Sequence, residues 1–300
     1  MVSRSDLQNA AGASMNFKDI VEFIKLEHTV FDLPFIFTGY VLAAGRYVYP
    51  LKILLILIAA VSARASAMSI NRIEGLRYDL INPRKKDWAL VSGRMSKSEA
   101  IALTVLFVAI FELTTFLLNR LVLILSPVVI FLFLTDPLLK RYTAWRHIYM
   151  GSTIGVGILA GYLAVLPIFP RDPTIYLIFI GSSFWIAGFD VIYVIPDMEY
   201  DRINGLKTLM VKYGLKRGLQ ISVAFHIVTL ISFWAVLFYI RTYWYLAAMI
   251  LISFLVIYQH IILDPSRPET VRKSFFNANS FIGFIYLLSL ILTIIYPIRV

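Results

Sequence analysis

Tyr78-Asp79-Leu80-Ile81-Asn82 returns 122 residues later as Tyr200-Asp201-Arg202-Ile203-Asn204. Both copies sit in charged stretches between strongly apolar ones, where packing needs no carboxylate. Residues three and four apart share a helix face. In the second arm Asp190, Tyr193, Asp197 and Asp201 are spaced that way, so an unbroken helix puts three carboxylates and a phenol on one stripe. Pro196 is expected to kink that helix just before Asp197. In the first arm Arg64, Asn71, Gly75 and Asp79 share a face. Aligning the arms sets Asn71 against Tyr193, Gly75 against Asp197 and Asp79 against Asp201. The first arm therefore lacks the middle acid, although Glu74 adjoins it.

The chemistry follows from the ligand types. The chain has no cysteine, which excludes disulfides and thiolate sites, and its histidines (His28, His147, His226, His260) form no cluster. Of these, His226 and His260 are expected to be satisfied inside the protein. Oxygen ligands alone suit Mg²⁺ rather than zinc, and Mg²⁺ is commonly held by carboxylates together with substrate phosphates. Arg72, Arg77, Arg84, Lys85, Lys86, Arg202 and Lys207 surround the arms, and Lys140 and Arg141 lie in another charged loop. Carboxylates for Mg²⁺ ringed by Lys and Arg describe a diphosphate site. The plainer reading is loop charges pairing with one another or with anionic lipid. Two aligned arms weigh against it.

The elements that carry these residues follow from composition. The chain has 300 residues, 59% apolar and 15% charged, against roughly 45–50% and about 25% in an ordinary soluble domain. Nine apolar segments, near 30–48, 51–70, 100–118, 121–138, 148–168, 174–195, 218–240, 243–263 and 279–297, are long enough to span a bilayer. In lipid such non-alternating runs must be helices. The expected fold class is all-α and polytopic, a single domain over 1–300, with the first two and the third and fourth spans forming hairpins. Residues 1–29 lack the apolar core of a cleaved signal. Phe17, Ile20, Val21 and Ile24 alternate with charges at helical spacing, which fits an interfacial helix or a leader packed on the first span.

Net charge is +10, yet the excess is sorted by membrane side rather than arranged for nucleic acid. The N-terminal segment and the loops after spans two, four, six and eight hold 21 of the 28 Lys and Arg; the other side holds six. The positive-inside rule then puts the N-terminus and both aspartate arms in the cytoplasm. Ionisable groups within a span are costly and usually face a cavity or partner. Arg64 and Asp190 are of this kind, with snorkelling to the interface the alternative for Arg64. Glu112 near the middle of the third span has no assigned role.

Four stretches carry a family resemblance. The run Ala63-Arg64-Ala65-Ser66-Ala67-Met68-Ser69-Ile70-Asn71-Arg72 through Asp79, with Asn82-Pro83-Arg84 and Ser92-Gly93, resembles the first Asp-rich motif of the UbiA superfamily of intramembrane prenyltransferases. Gly188-Phe189-Asp190-Val191-Ile192-Tyr193 through Asp197-Met198-Glu199-Tyr200-Asp201 and Gly205-Leu206 resembles the second. Lys25-Leu26-Glu27-His28-Thr29 with Leu33-Pro34-Phe35, and Lys140-Arg141-Tyr142-Thr143, are similar to its N-terminal signature and its basic motif. The resemblance implies nine transmembrane helices around a cavity capped by cytoplasmic loops. It implies Mg²⁺ held by Asn71 with Asp79 and by Asp197 with Asp201. Arg64, Lys140, Arg72, Arg141, Arg84 and Lys207 are then candidates for the diphosphate, and Asp190 and Tyr193 for the reacting carbon.

The implied activity is transfer of an isoprenyl group from a polyprenyl diphosphate to an electron-rich aromatic acceptor, such as 4-hydroxybenzoate or a naphthoate, in quinone biosynthesis at the cell membrane. No nucleic acid and no obligate protein partner is implied. Alkylation of a glyceryl phosphate or of haem is the alternative within the fold, and a membrane transporter the non-enzyme alternative. Three departures stand out: Gly75 replaces the middle acid, Asp87-Trp88-Ala89 replaces Asn-Arg-Pro, and Asp136-Pro137 replaces an aromatic-Pro pair.

Overall fold

The computed structural model describes residues 16–300. Residues 1–15 of the leader, and the side chains of Glu27 and His28 in the N-terminal signature, lie outside the described residues. The chain opens with helix α1 (Phe17–Ile24), started by a reciprocal capping box between Asn16 and Asp19. Lys25 ends it in the left-handed region at φ 50°. The apolar face of α1 is buried only at its C-terminal end, and Phe17 at its start is exposed. Phe23 and Ile24 are buried against Ala65, Ala89, Leu90, Met95 and Ala100, so the leader packs onto the helix of the first arm and the loop that follows.

The other helices follow in order: α2 (Leu26–Ala44), α3 (Pro50–Asp79), α4 (Lys97–Leu118), α5 (Arg120–Leu139), α6 (Arg146–Val165) and α7 (Pro173–Tyr193). Then come the short α8 (Met198–Ile203), α9 (Leu209–Ile240), α10 (Tyr243–Ile261), α11 (Pro268–Asn279) and α12 (Ile282–Ile295). Among the described residues, seven (α3 to α7, α9 and α10) are long and apolar enough to cross a membrane. Two apolar stretches, Asp32–Ala44 and Ile282–Ile295, are shorter. Each of the nine apolar segments read from the sequence falls on one of these helices. Gly214, at φ 78°, breaks α9 into a short N-terminal piece and a long one, and the apolar segment near 218–240 lies on the long piece.

Helix packing divides the molecule. α2 runs along α6, α6 along α7, and α7 along α9. In lipid, close approach of backbones at small residues drives such pairing. A Cβ at Gly161 would sit 2.0 Å from the Ile36 carbonyl oxygen, and one at Gly39 only 1.9 Å from that of Ile158. An aromatic core of Phe35, Trp185, Phe233, Tyr245 and Tyr286 fills this half. Its hydroxyls are satisfied: Tyr245 bonds the Phe233 carbonyl at 2.7 Å and the Tyr286 hydroxyl at 2.8 Å. The other half is α3 against α4 and α5. The α4–α5 hairpin turns on Asn119 alone, whose side chain caps α5. α2 and α3 are joined closely, but α2 lies chiefly on α6, and α3 scarcely touches α6. The space left between α3 and the α6–α7 pair is where the charged arms look inward.

Candidate active site

A cavity of about 490 Å³ opens between the two arms. α3 is an unbroken 30-residue helix through the first arm, so Arg64, Asn71, Gly75 and Asp79 all line the cavity as their spacing requires. The second arm differs from the single stripe that its spacing suggests. α7 stops at Tyr193, a 3₁₀ turn spans Ile195–Asp197, and α8 then begins at Met198. Pro196 has no N–H to give the Ile192 carbonyl, and its ring crowds that carbonyl, which favours a kink or break here. The turn nevertheless keeps Asp190, Tyr193, Asp197 and Asp201 on the cavity wall. The twin pentapeptides touch: the Tyr200 hydroxyl donates to the Tyr78 carbonyl.

Each arm acid has a cation. Lys85 Nζ is 2.7 Å from Asp79, Arg84 Nη1 is 2.6 Å from Asp197, and Lys140 Nζ is 3.8 Å from Asp201. Asp201 is buried, and its Oδ2 has no hydrogen-bond partner. Burial pushes its carboxyl above the usual range, with Lys140 opposing. Burial likewise pushes the Lys140 ammonium down, helped by nearby Arg146 and opposed by Asp201. Among the described residues, no three carboxylates or histidines converge as a ready metal cage. The acids stand apart along the wall, each held by a base.

The remaining candidates divide. Arg72 is buried, with Nη2 bonded to the Glu22 carboxylate (3.0 Å) and carbonyl (3.1 Å) and its guanidinium 3.8 Å above the Trp88 ring. Its Nε and Nη1 have no hydrogen-bond partner. Glu22 also takes the Ala89 N–H at 2.8 Å, so α1 clamps the arm and its loop together. Arg141 lines the cavity and lies 4.0 Å from Glu74. Lys207 is exposed and absent from the cavity wall. Its Nζ bonds the Tyr142 carbonyl at 3.2 Å and its N–H the Lys140 carbonyl at 2.7 Å, which fixes the loop that presents Lys140.

Asp190 is held by residues whose sequence signal is weak. His147 Nδ1 lies 2.7 Å from it and Arg146 Nη1 3.8 Å. His147 Nε2 accepts the Leu209 N–H at 3.4 Å, so Nδ1 carries the proton and donates to Asp190. A lone histidine beside an arginine gives no periodic signal for that contact. Arg64 Nε lies 3.5 Å from Asp32. Asp32 falls within the first apolar segment and carries the same signal of a charge in a span as Arg64. Glu112 accepts from Ser126 at 2.7 Å, which joins α4 to α5. His226 and His260 pair with each other at 2.8 Å inside the bundle, as expected of satisfied core histidines.

A second cavity, of about 330 Å³, has walls that are almost wholly apolar. It shares Asp32, Arg64, Met68, Asn71, Pro137, Met150 and Ile154 with the first. The two chambers therefore meet at a neck, charged on one side and hydrocarbon-like on the other.

An all-helical membrane protein with an acid- and base-lined chamber over a greasy one defines a class that handles amphiphiles with anionic heads. The sequence profile of the UbiA prenyltransferase family matches residues 33–288, and the chain belongs to that family. A 4-hydroxybenzoate octaprenyltransferase of Coxiella burnetii is 28% identical over 244 residues, covering 81% of this chain and 84% of that one. The solved apo structure of a UbiA homolog from Aeropyrum pernix K1 is 30% identical, with a TM-score of 0.80 over 89% of this chain and 98% of that one. A UbiA homolog from Archaeoglobus fulgidus bound to GPP and Mg²⁺ shares the fold at 18% identity, with a TM-score of 0.71 over 91% and 99% of the two chains. The protein is thus a multi-pass membrane prenyltransferase.

Proposed function

We propose that this chain transfers an isoprenyl group from a polyprenyl diphosphate to an aromatic acceptor of the 4-hydroxybenzoate or naphthoate kind, in quinone biosynthesis. The observation that carries the reading is the meeting of two unlike chambers at one neck. The diphosphate fits the polar chamber, the tail fits the apolar one, and the allylic carbon falls between them.

The residues present fit Mg²⁺. Asn71 and Asp79 from one arm and Asp197 and Asp201 from the other offer oxygen donors to the same cavity, and Asp201 Oδ2 is buried without a hydrogen bond. When bound, the metal neutralises charge on the diphosphate oxygens. Lys85, Arg84 and Lys140 now face those same acids. With Arg72 and Arg141 beside them, these bases would bind the diphosphate oxygens. Such fixed positive charge favours the state in which the allylic C–O bond opens and its electron pair leaves with diphosphate.

The allylic carbon is then attacked by the acceptor ring, and the ring carbon gives up its proton. Asp190, oriented by His147 and Arg146, steadies the cation and takes that proton. Tyr193 lies beside it on the wall. The apolar chamber keeps water from capturing the cation. The polar chamber and the N-terminus face the cytoplasm in this reading, on the strength of the charge distribution, and the chain crosses the cell membrane nine times.

The test is an acceptor panel on purified protein in detergent, with 4-hydroxybenzoate, 1,4-dihydroxy-2-naphthoate and a glyceryl phosphate, several prenyl chain lengths, and Mg²⁺ present or withheld. Diphosphate release that needs prenyl donor, Mg²⁺ and an aromatic acceptor together supports the reading. Product only with glyceryl phosphate shifts it to ether-lipid synthesis, and no product with any acceptor rejects it.

A further inference from the structure

The apolar chamber holds a buried polar atom that the reaction described above leaves unused. Asp136, near the end of α5, lines the apolar chamber. Its Oδ2 lies 3.3 Å from Arg146 Nη2, while its Oδ1 is buried and has no hydrogen-bond partner. Burying an acceptor without a donor is costly, so this oxygen calls for a ligand group. The isoprenoid tail carries no donor. The diphosphate is an anion, which a carboxylate repels, and Asp136 is not among the residues of the chamber that would hold it. Through Arg146 it is joined to Asp190, since Nη1 of that arginine lies 3.8 Å from the Asp190 carboxylate. Pro137, the next residue, lines both chambers, so the free oxygen lies beside the neck, where donor carbon and acceptor would meet.

We propose that Asp136 is the seat of the acceptor's phenolic hydroxyl. The hydroxyl donates to Oδ1, and the hydrogen bond both turns the ring carbon beside the hydroxyl toward the allylic carbon and draws electron density into the ring. Arg146 holds the carboxylate in place and shares its charge with Asp190. The site selects acceptors by a hydrogen-bond donor rather than by shape, and a hydroxyl capped as an ether is excluded. This inference rests on the prenyl-transfer reading for its acceptor, but not for its measurement.

The experiment is equilibrium binding of 4-hydroxybenzoate and 4-methoxybenzoate to the full-length protein in detergent with Mg²⁺ and geranyl diphosphate. Wild type, Asp136→Asn and Asp136→Leu are compared, and prenylation kinetics are run in parallel. Wild type should prefer the hydroxyl compound by roughly tenfold to a hundredfold, the worth of a hydrogen bond to a charged group. Asp136→Leu should abolish that preference by weakening 4-hydroxybenzoate alone, and Asp136→Asn should reduce it. The KM for geranyl diphosphate should move by less than about twofold, because uniform loss of the site is not involved.

An unchanged preference in both variants overturns the assignment, as does a wild type that binds the two benzoates equally or neither. Equal loss of geranyl diphosphate binding in both variants also overturns it, by reducing Asp136 to a structural partner of Arg146. A wild type that binds with the stated preference but yields no prenylated product rejects the transfer reading and leaves the hydroxyl seat standing.

Discussion

At the scale of single residues, the two arms are unequal in kind. The second supplies Asp190, Asp197 and Asp201, while the first offers Asn71 and Asp79 around Gly75. Replacing Asp197 or Asp201 by alanine is expected to abolish prenyl transfer while the protein still elutes as a folded species on size exclusion; activity near wild type in either would sink the metal assignment. Gly75→Asp restores a middle acid. A Cβ at that position meets only Asp79, at an ordinary 3.6 Å, so the side chain has room. The variant is expected to bind Mg²⁺ more tightly, read as a lower Mg²⁺ concentration for half-maximal turnover, and to melt earlier without metal, because it sets two carboxylates side by side.

Asp201 also has a linkage consequence. Its pKa is raised in the fold, with burial the main cause. A group with a raised folded pKa contributes stability that is full below its unfolded pKa and is lost as pH rises through the folded one. At neutral pH the ionised carboxylate therefore weakens the metal-free fold. Asp201→Asn is expected to raise the metal-free melting temperature by about a degree or two at pH 7, while ending turnover. The gain should shrink as pH falls toward the unfolded pKa. A variant that melts earlier than wild type at pH 7 would show that Lys140 needs the charge more than burial resists it.

At the scale of elements, local rules and packing each leave a mark. The spacing of Arg64, Asn71, Gly75 and Asp79 is enough to place them, because α3 is regular and long. The second arm is not regular. Its 3₁₀ turn at Ile195–Asp197 follows from Pro196, a feature visible in the sequence, but how the chain recovers after it is set by the contacts that α8 makes. The capping of α1 is likewise legible in Asn16 and Asp19, whereas its clamp on Arg72 and Ala89 is not. Close approach of α2 and α6 depends on glycine. Gly161→Leu would drive a side chain into the Ile36 carbonyl, only 2.0 Å from where its Cβ must go. Overpacking of this kind typically costs about 1–3 kcal/mol or more. A clear fall in melting temperature is expected, and an unchanged one would contradict the packing.

At the scale of the whole molecule, charge and hydropathy decide orientation. The chain has no native cysteine, so a single introduced thiol reports its own side of the membrane. Lys86 and Arg171 are both exposed and lie on opposite sides by the charge count. Lys86→Cys is expected to react with an impermeant maleimide only after cells are opened, and Arg171→Cys in intact cells. The reverse pattern would place the polar chamber outside and overturn the cytoplasmic assignment. The same whole-molecule view explains why the polar and apolar chambers adjoin. α3 packs on α4 and α5, the α6–α7 pair packs on α2 and α9, and the gap between the two groups runs from charged loops into hydrocarbon.

The sequence by itself determined where the apolar helices lie, the sorted charge and the inward stripe of the first arm, but not the length of the first and last apolar helices, which are shorter than read. What it determined depends on neighbours within a few turns, where helix periodicity and lipid leave little choice. Only the tertiary structure decided which charges meet. His147 on Asp190, Asp32 on Arg64, Arg146 between Asp136 and Asp190, and the displacement of Lys207 from the cavity wall are contacts between separate helices or loops. Such pairs depend on how far helices rotate and slide when their small residues interlock, a choice made by three-dimensional packing and by the cost of leaving a buried charge alone.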